Sequence, residues 1–522
     1  MPFEISNINI TRASYKWACF VLIFIMATGI RVYRVSNKYD MNIDEAFSVA
    51  LASCHNYGLT KAFDENKIYD GKTLRDSLLW NKSSLENVVN NLVQLHKDSR
   101  DLPHSNLYYS CLRLCFAGVV TSDLHRIIIQ GFFLNLFFFL FSFIFLYKLA
   151  RKLFDNYWLI VLTLVLAYFN PGSITNTLYL REYQLQEMLL VMLTYMCTDF
   201  YYKIKDGVFI STWQSMFKIS ILTSLVLLSG YFTTLYVVFL GLILLYTSLI
   251  NKQKQNIPFL ICSFCLSLAL AGALYCKYFD GYFGYNGNSA SALIHSISWI
   301  DNATSSFLKF FIDIRGYLLS LPALVLIGII IIGILSKNQT FYSAIPYNKL
   351  PLILSFCAIL WSLIIMFMLS WKGVYYFMSL FPIMILFIPF LVSYFKRKAI
   401  ILIAMLFTVI FSIKAITRKE VYMGVLPVEK AYTDNNELPV IIAIEDNPSN
   451  LVLLSYFSDN RTFEFTKSPH QFTSKINKYK KLIVITGRGD FYKKQFLIPA
   501  NYQICQQFSC NWYFDGYILQ KK

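Results

Sequence analysis

The sequence predicts a polytopic α-helical membrane protein with about eleven transmembrane helices, outer amphipathic helices and a small C-terminal α/β soluble domain. Three observations carry that expectation. Of the 522 residues, 56% are hydrophobic and 17% aromatic, and only 15% are charged, whereas soluble domains carry roughly 25% charged residues. Apolar runs of bilayer-spanning length recur, among them RIIIQGFFLNLFFFLFSFIFLYKLA (126–150) and LPALVLIGIIIIGIL (321–335). The basic residues behind the net charge of +17 sit in short tufts between those runs. That placement sets membrane orientation and argues against a nucleic-acid partner, which needs a clustered soluble face.

The first run, YKWACFVLIFIMATGIRVY, lacks a clean small-x-small cleavage site, so it is expected to stay as a span and not to leave as a signal peptide. Spans are expected near 16–35, 126–147, 157–170, 180–201, 217–229, 232–250, 258–276, 317–335, 350–369, 374–394 and 398–415. The run over 217–250 is long for one helix and short for two, with SGYFTT as its turn. With this count the basic tufts YKLARK, YYKIK, NKQKQ, SKNQ…YNK and FKRKA all fall on one side, and NPGSITNT and SWKG on the other. The positive-inside rule then makes the N-terminus cytoplasmic and the C-terminal tail external. The Lys-, Asn-, Ile- and Tyr-rich composition hints at an AT-rich bacterial genome, and so at a multi-pass protein of the inner membrane with a periplasmic outer face.

Three outer segments are large: 36–125, 277–316 and 416–522. The expected division is a membrane domain over 1–415 and a periplasmic C-terminal domain over 416–522. In the tail, the apolar runs PVIIAI and KLIVIT and a strand-like CNWYFDGYIL stand between polar stretches, as in a small α/β domain. All six histidines (55, 96, 104, 125, 295 and 470) fall in outer segments, so any chemistry faces outward. The cysteines lie mostly inside apolar runs and read as small hydrophobes. Cys505 and Cys510 are the one pair placed to form a disulfide in an oxidising compartment. TGRGD (486–490) lacks the spacing and the Lys-Ser/Thr of a phosphate loop.

The stretch KYDMNIDEAFSVALASCHNYG (38–58) places two adjacent carboxylates just past the first span. Asn42 and Glu45 have the capping-box spacing. Behind them Ile43, Ala46, Phe47, Ala50, Leu51, Cys54 and Gly58 form one helical stripe, as in an amphipathic helix on the outer membrane surface. SSLENVVNNLVQLH repeats the design, with Ser83 as cap, Glu86 closing the box, and Leu85, Val88, Val89 and Leu92 as the stripe. Capping accounts for Glu45 and Glu86 but not for Asp44. That residue sits in the first turn, where the helix dipole favours an ionised carboxylate, and suits a general base at the mouth of a hydrophobic bundle.

A first span followed by an outer Asp-Glu pair and surface helices resembles the GT-C glycosyltransferases, polytopic enzymes that include protein O-mannosyltransferases and lipid A aminoarabinose transferases. Further matches follow in order. DLPHSNLYYSCLRL (101–114) is similar to the HPPLYYLLL signature, aligning His104, Leu107, Tyr108 and Tyr109, with Ser105 and Asn106 in place of the two prolines. LHRIIIQGFFLNLFFFLFSFIFLYKLARKLF resembles the second span, with Arg126 at its outer end. NTLYLREYQLQEMLLVMLTYM resembles the span that opens with Arg-x-Tyr, here Arg181 and Tyr183. KGVYYFMSLFPIMIL resembles the late RYLLPLLP pattern, with Tyr375 where the arginine usually stands. The likeness covers about 17–200 well and 370–395 loosely.

The resemblance implies a GT-C fold and inverting transfer of a sugar from a polyprenyl-phosphate donor to a glycan, lipid or protein acceptor at the outer face. A lipid-phosphate leaving group needs little acid catalysis, so one carboxylate base and cations for the departing phosphate suffice. Asp44 is then the base, and Glu45 its support as a cap or an acceptor hydrogen-bond partner. Arg181 is the first candidate for the lipid phosphate and Lys372 the second, both readable instead as snorkelling side chains. Arg126 fits either a phosphate contact or an orientation anchor, and His104 a polar strut in the cavity wall. A divalent metal is left open: Glu45, Glu86, His104 and His295 are the available ligands, without a close-spaced motif. Two other readings compete. An envelope glycan polymerase or ligase would carry its main outer loop late and rich in arginine. A lipid-linked glycan transporter would carry ionisable groups near the bilayer midplane, where these runs are almost free of charge.

Overall fold

The computed structural model describes residues 4–53, 63–79, 84–97, 106–119, 123–209, 212–280, 299–336, 348–369, 373–422, 428–443, 453–459, 461–487, 498–510 and 514–522. The chain opens with α1 (Glu4–Ser36), α2 (Ile43–Ser53), β1 (Ile68–Asp70), α3 (Gly71–Leu79), α4 (Leu85–Lys97) and α5 (Leu107–Cys115). A long apolar series follows: α6 (Leu124–Leu153), α7 (Tyr157–Tyr168), α8 (Pro171–Leu178), α9 (Tyr183–Lys205), α10 (Trp213–Ser229), α11 (Thr233–Ile250) and α12 (Asn256–Leu274). After these come α13 (Trp299–Asp313), a π turn (Ile314–Leu318), α14 (Leu321–Ser336) and α15 (Leu350–Met368). Three short helices, α16 (Tyr375–Met378), α17 (Phe381–Met384) and α18 (Phe387–Val392), precede α19 (Arg397–Thr417). The tail holds α20 (Lys430–Thr433), β2 (Val440–Ala443), β3 (Thr462–Thr466), α21 (Pro469–Ile476), β4 (Lys481–Gly487), β5 (Tyr502–Ser509) and β6 (Phe514–Lys521).

Among the described residues, six helices are long and apolar enough to cross a membrane, or up to eight if each of two bent pairs is one span. The protein is a multi-pass helical membrane protein with a C-terminal sheet domain. It divides into two compact units, Met1–Arg34 with Asp101–Tyr108 and Asn135–Val421, and Val35–Arg100 with Tyr109–Leu134 and Tyr422–Lys522.

In the first unit each expected span contains helix, but several are broken where the chain cannot supply an amide. The run at 157–170 ends as α7 at Tyr168. Pro171 has no N–H to continue the ladder, Asn170 recaps the chain by accepting the Ser173 N–H at 2.8 Å, and α8 leaves at 56° to α7. The run expected as one span over 374–394 is three short helices instead. Pro382 and Pro389 each remove an amide, and the turns close by tighter bonds such as Leu380 N–H to Phe377 O at 3.1 Å. The span expected at 317–335 is α14, joined to the preceding helical stretch at a 101° bend.

The second unit is built on a six-stranded mixed sheet of order β1-β3-β2-β4-β6-β5. β2, whose four residues are all buried, runs parallel to both of its neighbours, β3 and β4. Such central strands read as continuous apolar runs, as PVIIAI does. α21 covers one face, and Ile441, Phe472, Ile476, Leu482, Val484 and Leu519 form the core. The edge strand β1 comes from the segment 36–125, with Ile68 opposite Glu464 in an antiparallel pair.

Three expectations for this unit are corrected. α2 is not an amphipathic surface helix: Ser48, Val49, Ala50, Leu51 and Ala52 are all buried, because α3 and α4 pack on it. In α4 the cap is Ser84, whose Oγ accepts the Asn87 N–H at 3.3 Å, and Glu86 lies exposed one residue short of the box position; Ser83 is outside the described residues. Of the expected stripe, Val88 is buried, whereas Leu85 and Val89 are exposed and Leu95 takes the second inward place. Cys505 and Cys510 are both free thiols. Cys505 lies within β5 and Cys510 just past its end, and five extended residues separate their Cα atoms by roughly 17 Å, far beyond disulfide reach.

Candidate functional site

The carboxylate end of α2 belongs to the second unit. Asn42 is its N-cap: the Asn42 side-chain oxygen accepts the Asp44 N–H at 3.1 Å, and the Glu45 carboxylate reaches back to the Asn42 N–H at 2.7 Å. Glu45 thus closes the box as the spacing predicts, while the Asn42 oxygen takes the N–H one residue earlier than a full box would. Glu45 is fully buried, and its other oxygen is ion-paired with the Lys38 ammonium, itself buried. Both oxygens of Glu45 are therefore engaged in holding the turn. Asp44, at the second helical position, is only half-buried, with its backbone carbonyl accepting the Ser48 hydroxyl at 2.9 Å.

Beside this pair stands a third carboxylate that the spacing of the motif gave no reason to single out. Asp40 is 7% exposed. It accepts the Met41 N–H at 2.7 Å and the Ser455 hydroxyl from the tail. Burial pushes its pKa up to about 7, opposed by those two bonds and reinforced by the nearby Glu45 charge. Lys38 and Asp40 fall at alternate places before the cap, but their partners, Glu45 and Ser455, appear only in three dimensions.

The first unit carries the second group of candidates. Tyr108 is buried, and its hydroxyl lies 3.2 Å from the Asn135 side-chain oxygen. The Asn135 amide donates to the Thr177 and Tyr179 carbonyls at 3.2 and 2.8 Å, pinning the turn between α8 and α9. Arg181 sits in that turn, its N–H donating to Tyr179 O at 2.7 Å and its Nε lying 3.8 Å from the Glu182 carboxylate; both side chains are buried. Tyr183 stacks on Tyr179 with ring centroids 5.9 Å apart, and Tyr375 approaches Tyr183 at 5.7 Å. The late motif is thereby brought against the Arg-x-Tyr motif. Tyr375 lines up beside Tyr183, the position for which the resemblance implies an arginine.

Behind this turn lies a polar network of α1, α6, α8 and α9. The Arg31 guanidinium donates to Thr177 Oγ1 and Ser173 Oγ at 2.9 Å, to Ala27 O at 3.0 Å and to Tyr168 O at 3.1 Å, and it covers the Phe139 ring at 3.9 Å. Glu187 accepts from Asn176 and Gln184 at 2.9 Å and from Ser142 at 3.1 Å. Thr177 joins the halves by donating to Gln184 at 2.7 Å. A charge of each sign is thus held by neutral groups, an arrangement that fixes the orientation of α8 and is not visible in either run alone.

Arg126 is exposed and 3.8 Å from Asp123 one turn before it, in the second unit with Asp44 and Glu45; Tyr108, Arg181 and Tyr183 are in the first. Lys372, His104 and His295 lie outside the described residues. Among the described residues no three His, Cys, Asp or Glu side chains gather as metal ligands.

No protein-family model matches the chain, and no curated protein matches it. Among solved structures it is similar to ArnT from Cupriavidus metallidurans bound to undecaprenyl phosphate, at 9% identity and a TM-score of 0.49, over 95% of this chain and 97% of that one. The same protein in the apo state gives 9% identity and a TM-score of 0.47, over 97% and 98% of the two chains.

Proposed function

We propose that the protein is an integral-membrane glycosyltransferase of the GT-C kind. It moves a sugar from a polyprenyl-phosphate donor to a glycan, lipid or protein acceptor at the periplasmic face of a bacterial inner membrane. The observation that carries this reading is the division of roles within the carboxylate pair. Glu45 is buried and spent on Lys38 and the Asn42 N–H, while Asp44 stays half-exposed in the first turn of α2. The ordered sequence motifs support it, as does the approach of Tyr183, two residues past Arg181, to Tyr375.

In this reading Asp44 takes the proton of an acceptor hydroxyl as that oxygen bonds to the anomeric carbon. The bond from that carbon to the phosphate oxygen breaks, and its electron pair leaves on the lipid phosphate. A cation neutralises the departing charge, the role for which the sequence motif offers Arg181. Inversion follows from direct displacement.

The test is mass spectrometry of envelope glycolipids and glycoproteins from cells carrying wild type or Asp44→Asn at matched membrane levels, with a deletion strain beside them. Loss of one defined sugar in both strains names donor and acceptor, with activity down about 10²–10⁴-fold, the usual worth of a general base. A sugar lost in the deletion strain but kept by Asp44→Asn removes Asp44 as the base. No sugar lost in either strain refutes the transferase reading.

A further inference from the structure

Helices α9, α10, α11 and α12 pack as one bundle in the first unit. At one end the Gln186 amide of α9 donates to Ser229 O at the close of α10. At the other, Gln253 between α11 and α12 donates to Ile204 O near the close of α9. Between these ends lies a cavity of about 280 Å³, lined by Leu193, Ile219, Leu240, Gly241, Leu245 and Phe264 among others. That is nearly twice the roughly 150 Å³ at which an apolar cavity holds benzene.

Its walls are almost wholly apolar. Two of the few lining hydroxyls, on Ser263 and Ser267, are spent on carbonyls of their own helix, Phe259 O and Ser263 O, both at 2.7 Å. The rim residues Val238, Leu242 and Ile261 are exposed apolar side chains, so the opening lies on a face that meets hydrocarbon. The end of the bundle at Gln253 carries exposed Lys205, Lys218, Lys252 and Lys254, with Asp206 the acid among them. Lys203 is also there, paired with Asp199 at 2.8 Å. Lys218 directly precedes the lining residue Ile219. Lys252 follows the lining residue Leu245 by seven residues, about 10 Å along a helix. Both intervals fit within a leaflet of roughly 15 Å.

We propose that this cavity lodges one acyl chain of an anionic phospholipid whose headgroup phosphate lies among Lys205, Lys218, Lys252 and Lys254. Hydrocarbon fills the dry space, and the excess of positive charge selects the headgroup. The site is independent of the transfer reaction.

The full chain is purified in detergent, exchanged with phosphatidylglycerol, phosphatidylcholine or undecaprenyl phosphate, and examined by native mass spectrometry for retained lipid. Wild type is expected to retain phosphatidylglycerol in preference to the other two. Gly241→Phe fills the cavity from a position where an added Cβ meets nothing within 4 Å, and it is expected to lose the retained lipid. Replacing the four lysines by Gln is expected to lower retention of phosphatidylglycerol by at least about fivefold, the factor a single lysine contributes at an anionic surface. Equal retention of phosphatidylcholine by the wild type overturns the proposal. Unchanged retention in a folded Gly241→Phe protein does so too. Preferential retention of undecaprenyl phosphate also overturns it, and would give the cavity to a polyprenyl lipid instead.

Discussion

Asp40 provides the sharpest test of the electrostatics around α2. Its pKa in the folded chain is raised from 3.8 to about 7, mainly by burial. The folded value lies above the unfolded one, so the neutral form is the one the fold prefers. The stability this confers is complete below about pH 4 and is lost as pH rises through about 7. A shift of roughly three units corresponds to about 4 kcal/mol. Asp40→Asn keeps a neutral group of the same shape: its carbonyl can still accept the Met41 N–H, and its amide can donate to Ser455 Oγ. The variant is therefore expected to exceed wild type in stability by up to about 4 kcal/mol at pH 8 and by about 1–2 kcal/mol at pH 5. Thermal unfolding of both proteins in detergent across pH 4–9 measures this. The wild-type curve should fall towards alkaline pH while the curve of the variant stays flatter, the two converging in acid. Parallel curves would show that Asp40 is solvated or paired when charged, and the reasoning from burial would fail.

Two further outcomes follow from the buried ions. Lys38→Met strands the Glu45 carboxylate without its cation and is expected to cost about 3–5 kcal/mol; Glu45→Gln added to it should recover part of the loss, and thermal unfolding of the single and double variants would show whether it does. Arg31→Met removes donors to Thr177, Ser173, Tyr168 and Ala27 and leaves Glu187 the only charge in its network. A comparable cost of about 3–5 kcal/mol is expected, read as earlier aggregation on heating in detergent, and a variant as stable as wild type would mean that the network is slack.

Local pattern made part of this molecule legible. The capping pair Asn42–Glu45 could be read because both partners lie within one turn, and the Glu45 bond to the Asn42 N–H is the one the spacing requires. The apolar runs of the first 415 residues could be read as helices, and PVIIAI and KLIVIT as apolar runs of an α/β tail, because burial on all sides leaves an uninterrupted apolar signature. What could not be read depends on distant partners. The proline breaks at 382 and 389 were present in the sequence but masked by the hydrophobicity of their run. Asp40 owes its environment to Ser455, and α2 owes its burial to α3 and α4, so neither could be inferred from the order of residues around the motif. Among the candidate residues, the paired carboxylates and Arg181 were visible from their motifs. Their supports, Lys38 for Glu45 and Asn135 for the Arg181 turn, were not.

The origin of β1 bears on how the chain is made. Ile68 pairs with Glu464, so the edge of the tail sheet closes a loop of about 400 residues, the kind of non-local contact that slows folding most. At roughly 5–20 residues per second of synthesis, the segment around β1 emerges some 20–80 seconds before its partner strand exists. During that interval Arg75 also lacks Asp459 and Asp40 lacks Ser455. The segment that carries β1 is therefore assembled last although it is made early. Removing the tail would strip it of these partners and of the sheet, whereas Glu45 would keep Lys38 and the Asn42 N–H, which its own segment supplies.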